Sequence, residues 1–409
     1  MTDMDIVERF LRYTRINTTA KPGATTLPSS ENQWKLAQLL ATEMRGLGLN
    51  VEERDHAIVI GTLAANSTTP KPVIAFVCHM DTSSEYNTDT YAQIVDYQGG
   101  DITLNSQKNI IMKAAEFPEL AAYIGDSLIV TDGTSLLGAD NKSAIAEVMH
   151  ALAVLAHNPA IEHGTVKVVF VPDEEIGLLG AKALDAASLE ADFAYTLDCC
   201  AIGEIVYENW NAGEFEITFH GVAAHPMSAK GQLRNSLLYA NQFINQLPGG
   251  ERPEYTQGRE GYYWVKAITG SAAQTVIHVD IRDFSTHGYE KRRRFVETLA
   301  DTFNALYGAG TAEIRYKPVY RNVAGALQNG KAYPVQLALD VMRDMGLTIT
   351  PKPMRGGYDG TILTEKGLPC PNLFCGAHNF HSIHEFLPVN SLKKAADMVV
   401  EIIKRAEKV

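Results

Sequence analysis

The tightest constraint on how this chain can fold comes from short apolar runs that end on acids or imidazoles. Residues 73–77 read Val-Ile-Ala-Phe-Val, a pattern suited to a strand buried on both faces of a sheet. Residues 166–171 give a second run and 193–197 a third strand, with a strongly apolar helix at 143–156 between the first two. Strand and helix in alternation predict an α/β domain. The first run continues into Cys78-His79-Met80-Asp81, the second through Pro172-Asp173 into Glu174-Glu175, and Asp198 follows the third. The carboxyl ends of parallel strands are where active sites collect. Two adjacent glutamates delivered to one such tip therefore suggest catalysis.

At 409 residues the chain is long enough for two or three domains. Helical spacing is read at 6–13 and 32–47, and a further strand at 58–63. From about residue 212 the order becomes strand 214–219, helix 235–247, strands 262–269 and 275–284, helix 289–306 and strand 312–320, the ferredoxin-like βαββαβ arrangement. A helix at 334–345, a strand at 373–374 and a last helix at 392–407 resume the earlier type. The expected organisation is a catalytic domain with a mixed central sheet flanked by helices, formed by 1–211 and 325–409. An inserted α+β lid domain at 212–324 interrupts it. Residues 81–126 are expected to be irregular or to form short β structure.

The 36 Lys and Arg against 48 Asp and Glu leave a net charge of -12, which disfavours nucleic acid and acidic membrane surfaces as partners. Lys291, Arg292, Arg293 and Arg294 lie in a helical pattern near Glu290 and Glu297, as on a solvated helix face. The five cysteines contain no C-x-x-C pair and give no disulfide framework. The acidic amino terminus lacks the order of a secretory signal, and no apolar stretch approaches the ~20 residues of a membrane span. These features predict a cytoplasmic enzyme.

His79 and Asp81 share a face if extended geometry continues. Asp140 follows Leu136-Leu137-Gly138-Ala139 and opens a helix, and His378, His381 and His384 fall within seven residues of one loop. Imidazole and carboxylate donors suit Zn2+, with Co2+ or Mn2+ as substitutes. The donors suffice for two ions, one on His79, Asp140 and Asp198, the other on Asp140, Glu175 and His381. Such a pair activates a shared water, which leaves Glu174 free as general base. His56, His150, His157 and His163 sit in helix or surface contexts and are read as noncatalytic.

Taken together, these motifs resemble the dinuclear-zinc metallopeptidase family of carboxypeptidases, dipeptidases and aminoacylases, most closely its peptidase T branch. The resemblance rests on His79-Met80-Asp81-Thr82, the stretch from Thr131 to Asp140, Pro172-Asp173-Glu174-Glu175, Asp198, His225-Pro226, Ile281-Arg282-Asp283-Phe284, Arg355-Gly356-Gly357, Pro369-Cys370-Pro371-Asn372-Leu373-Phe374, and His381 with Glu385. It spans nearly the whole chain. It implies His79, Asp140, Glu175, Asp198 and His381 as ligands of two zinc ions, with Asp140 bridging, Asp81 orienting His79 and Glu174 as base. His381 is preferred to His384 because the family's ligand precedes a glutamate by four positions. His225, Asn235, Arg282 and Arg355 are the implied substrate contacts, and the lid often forms a homodimer contact. Four positions depart from the branch: Asn141, Cys199, Cys200 and Tyr358, the last with a ring that could narrow or reshape the substrate cleft. The implied activity is removal of the amino-terminal residue from short peptides, tripeptides above all. Carboxypeptidase, dipeptidase and N-acyl-amino-acid amidohydrolase activities are the enzyme alternatives, and a peptide-binding scaffold is the non-enzyme one.

Overall fold

The computed structural model describes residues 4–407, which separate into two compact units. Within the described residues, the larger comprises 4–207, 325–352 and 358–407, and the smaller 208–324 with 353–357. The return of 353–357 to the smaller unit carries Arg355 with it, a crossing that the sequence boundaries at 212 and 325 do not contain. It is made by backbone pairing: Met354 N donates to Glu208 O at 2.9 Å.

The larger unit is built on an eight-stranded mixed sheet. From edge to edge it runs Asn50–Glu53, Val59–Leu63, Val166–Val171, Ile74–His79, Phe193–Cys199, Asn372–Phe374, Glu204–Val206 and Thr350–Pro351. Val166–Val171 and Phe193–Cys199 flank Ile74–His79 in parallel. The runs in these strands are apolar because both faces are covered. On one face Ala75, Val77, Val169 and Val171 pack with Leu184, Leu189, Leu363 and Leu368. On the other lies the helix Ala139–His157, itself buried nearly all round and packed against Val389–Arg405 and Ile6–Thr14. The α/β architecture expected from the sequence is the one found.

Residues 81–126 do carry short β structure. Ala92–Asp96 joins Ser127–Thr131 and Phe386–Pro388 in a three-stranded sheet, and Ile102–Asn105 pairs with Ile110–Met112. Their apolar residues form a separate small core with Leu120 and Phe386. The helix expected at 143 begins at Ala139, with Asp140 and Asn141 bent out of helical geometry inside its first turn. Two short helices, Leu179–Ala183 and Asp359–Glu365, had too few residues to show a helical period.

The smaller unit follows the βαββαβ order. Its antiparallel sheet runs Tyr262–Gly270, Gln274–Asp283, Asn211–His220, Ala312–Tyr320. Ser236–Gln246 and Thr286–Tyr307 cover one face, burying Phe215, Ile217, Phe219, Phe243, Ile277 and Phe303 in a core of its own. Side chains on the other face are polar and more exposed, including Glu214, Glu216, Lys266 and Arg315. That alternation is why its strands read with period two. In the basic cluster of its long helix, Arg293 pairs with Glu290 and Glu297, and Arg292 with Asp283 and Glu251.

Candidate metal centre

Three adjacent strands bring the donors together. His79 ends Ile74–His79, Asp198 is the next-to-last residue of Phe193–Cys199, and Glu174 and Glu175 follow Val166–Val171. Because the three strands are parallel neighbours, residues between 23 and 119 positions apart in sequence reach one end of the sheet's strands. Asp140 enters from the bent first turn of its helix, and His381 from a loop where its backbone is left-handed, φ 62°. A non-glycine residue holds that conformation only where its surroundings fix it.

Asp140 is the centre of the arrangement. Its Oδ1 lies 3.0 Å from His79 Nε2 and its Oδ2 3.2 Å from His381 Nε2. Each imidazole nitrogen also faces a second carboxylate: His79 Nε2 is 3.8 Å from Asp198 Oδ1, and His381 Nε2 is 2.9 Å from Glu175 Oε1. The last approach lacks hydrogen-bond geometry, so the buried Glu175 Oε1 has no bonded partner among the described residues. Ligand atoms of His79, Asp140 and Glu175 all fall within 4.8 Å of one another. One carboxylate divided between two imidazoles, each backed by a further acid, gathers donors of the kind that hold divalent metal ions.

Electrostatics support the same fit. Burial would raise Asp140, but bonds to His381 and His79 hold its carboxyl well below the usual range. Glu175 is pushed up to about 7 by burial and the Asp140 charge, and Asp198 to about 6 by the same two causes. Burial, followed by the charges of Asp198, Asp359 and Glu175 against that of His79, raises Glu174 well above an ordinary glutamate. Against its burial, His79 is raised by the surrounding carboxylates of Asp140, Asp198 and Asp81, and His381 rises to about 11 beside those of Asp140 and Glu175. Four acids crowding two imidazoles repel one another, and divalent cations would relieve that repulsion.

Supporting residues fix the donors. Asp81 is fully buried, with Oδ1 3.3 Å from His79 Nδ1. Its two oxygens also accept the backbone N–H groups of Glu174 and Glu175, at 3.0 and 3.1 Å. Glu385 accepts from Gly138 N and Asp140 N, locking the turn that presents Asp140. Asp173 accepts from Ser29 and Gln33 and so anchors the glutamate turn. Asn141 donates to Asp198 Oδ1 at 3.1 Å and to Leu197 O, which gives that departure from the branch pattern a positioning role. Cys199 is buried and Cys200 partly so, and burial raises both thiols.

Of the three clustered histidines only His381 joins the acids. His378 bonds to Tyr123 Oη at 2.6 Å, stacks on Phe386, and is lowered to about 4 by burial, while His384 packs on Phe117. Tyr358 is packed in the core of the larger unit. It is wholly buried, and its hydroxyl donates to Cys370 O, because the short helix it precedes packs into the core. Sequence reasoning missed Asp359, a buried acid raised to about 7 by burial, against His79 and with Asp81 and Asp198. Only tertiary packing reveals it.

Residues expected to contact substrate are in the smaller unit. His225 is exposed, and its Nδ1 accepts from Met227 N at 3.2 Å. Asn235 caps the helix Ser236–Gln246 by accepting from Leu237 N. Arg282 is committed to Asp280 at 3.0 Å and to Gly213 O. Arg355 lies over the rings of Trp210 and Tyr262, 4.6 and 5.9 Å from their centroids.

Residues 136–405 match the pattern of Peptidase family M20/M25/M40. The chain belongs to this family and is a peptidase. Among curated relatives, Peptidase T of Halothermothrix orenii is 44% identical over 402 residues, covering 98% of each chain. Similar solved structures include the aminopeptidase PepT of Bacillus cereus (23% identity, 98% and 97% covered, TM-score 0.76) and a tripeptidase of Staphylococcus aureus (24%, 98% and 97%, 0.75). At those identities the two structures attest the fold alone.

Proposed function

We propose that this peptidase removes the amino-terminal residue from short peptides, tripeptides above all, using two zinc ions held by His79, Asp140, Glu175, Asp198 and His381. The observation that carries the reading is the Asp140 carboxylate, shared between two imidazoles that each face another acid. Support for the substrate class comes from the relative named Peptidase T. When bound, such ions polarise the scissile carbonyl and acidify water.

Glu174 is the proton carrier. Its raised affinity for protons suits a group that takes one from the attacking water near neutral pH and returns it to the leaving amine. Asp81 holds the glutamate turn and the rear of His79 together, so base and ligand keep a fixed relation. His225 is read as the donor that stabilises the oxyanion, a role whose loss commonly costs about 10²–10³ in rate. Arg355 is read as the fork for the peptide's carboxyl terminus, with Arg282 and Asn235 in supporting contact.

Two further readings go with this one. The smaller unit forms a homodimer contact, for which its edge strand Tyr262–Gly270, with Trp264 and Ile268 exposed, is suited. The setting is cytoplasmic, consistent with five free thiols. No helix among the described residues is long and apolar enough to cross a membrane.

The test compares free tripeptides with N-acetylated and C-amidated analogues, for the wild type and Glu174→Ala. Free tripeptides are expected to be the best substrates. Glu174→Ala is expected to keep its metal content while losing about 10²–10⁴ in kcat. Preference for N-blocked substrates would overturn the aminopeptidase reading in favour of amidohydrolase activity, and unchanged turnover in the variant would remove Glu174 as base.

A further inference from the structure

The smaller unit contains an aromatic cluster of Trp210, Tyr262 and Phe284, with Tyr320 packed against it. Trp210 stands edge-on to both Tyr262 and Phe284, with ring centroids 5.0 and 5.6 Å away. Its ring is 3% exposed, yet its indole N–H has no acceptor among the described residues. Burying an unpaired donor is unfavourable, and a phenylalanine would fill space there without that cost. An indole at this position is better explained by its face, which attracts cations more strongly than any other side-chain ring.

The cation is already on that face. Arg355 Cζ lies 4.6 Å from the Trp210 centroid and 5.9 Å from that of Tyr262. Its remaining bonds are light: Nη2 donates to Thr256 Oγ1 at 3.0 Å and Nη1 to Gly258 O at 3.3 Å. Arg355 appears in no carboxylate ion pair among the described residues, whereas Arg282, over Tyr320 at 5.9 Å, is ion-paired with Asp280. A guanidinium that is oriented by rings and neutral oxygens keeps its charge available for an outside anion.

We propose that Trp210, with Tyr262 as a second wall, is a positioning residue that sets the selectivity of the peptidase for substrates with a free terminal carboxylate, by holding the Arg355 plane. The inference rests on the reading of Arg355 as the carboxylate fork. It predicts that selectivity tracks the aromatic face rather than residue volume. Lysine in place of Arg355 would keep the charge but lose the stacked plane.

The test uses the holoenzyme and measures kcat and KM for one tripeptide and its C-terminal amide in wild type, Trp210→Leu, Trp210→Phe and Arg355→Lys. Trp210→Leu and Arg355→Lys are each expected to lower the free-to-amide ratio of kcat/KM about tenfold, chiefly through KM for the free peptide. Trp210→Phe keeps a weaker ring face and is expected to give a ratio between those of wild type and Trp210→Leu. A folded Trp210→Leu with the wild-type ratio would overturn the proposal, as would Trp210→Phe losing as much as Trp210→Leu. Should Trp210→Leu fail to fold, Tyr262→Leu gives the same reading from the other wall. A wild type that cleaves amide and free peptide equally would instead remove the carboxylate fork itself, and that result is seen before any substitution is made.

Discussion

Asp81 does two jobs with one carboxylate. One oxygen approaches His79 Nδ1, and both accept the amides of the glutamate turn. Asparagine fits the space but offers one acceptor and an N–H that repels one of those amides. Asp81→Asn is expected to weaken metal binding about 10- to 100-fold, read by competition with a chelator, whereas Glu174→Ala should leave that affinity close to wild type. Equal affinity losses in the two variants would contradict the division of roles. The same residues set a pH dependence. Glu175, raised to about 7, and Asp198, raised to about 6, bind more protons in the folded, ion-free chain than when unfolded. Their contribution therefore makes the ion-free chain less stable as pH rises from about 4 to 7, and the raised His79 and His381 extend the fall above 6.5. Metal binding displaces those protons, so zinc should raise the melting temperature more at pH 8 than at pH 6. A zinc-induced shift that shrinks with pH would refute the ligand assignment.

At the scale of the element, the helix Ala139–His157 carries the next prediction. Glu147 is wholly buried, its pKa is raised well above an ordinary glutamate by burial, and neither carboxyl oxygen has a hydrogen-bond partner among the described residues. Methionine has similar length and no polar cost. Glu147→Met is expected to stabilise the fold by about 1–3 kcal/mol in urea unfolding. Because the raised carboxyl binds a proton in the folded state, its cost grows as pH rises above 4.5, and the gain should be larger at pH 8 than at pH 5. A destabilised variant would show that Glu147 has a bonded partner, such as internal water. This helix also shows what sequence patterning could convey. Its apolar length was legible, and so was the placing of His79, Asp140, Glu174, Glu175 and Asp198 near strand ends or turns, because periodicity and strand termini are local signals. The bend at Asp140, the buried Asp359 and the capture of Glu385 by two amides were not, since each depends on what packs against it. The return of 353–357 was equally silent, being five residues with no period to read.

Across the whole molecule, the division of labour between units predicts how the chain unfolds. All five proposed ligands lie in the larger unit, and the smaller has its own core around Phe215, Phe219, Phe243 and Phe303. Ligand that binds only one folded unit stabilises that unit by mass action, by about 2.7 kcal/mol at a free concentration 100 times the Kd. Unfolding of a chain with two such cores need not be a single transition. Calorimetry with increasing zinc is expected to move one transition upward and leave a second within about 1–2 °C of its position in chelator. Phe303→Ala, which empties part of the smaller core at a cost of about 3–5 kcal/mol, should lower the zinc-insensitive transition selectively. If both transitions instead rise together with zinc, the two units unfold as one cooperative body, and Phe303→Ala should then weaken apparent zinc stabilisation as well. The variant and the metal thus probe the same partition from opposite sides, one through a buried ring far from any proposed ligand in sequence, the other through charges gathered at the strand ends.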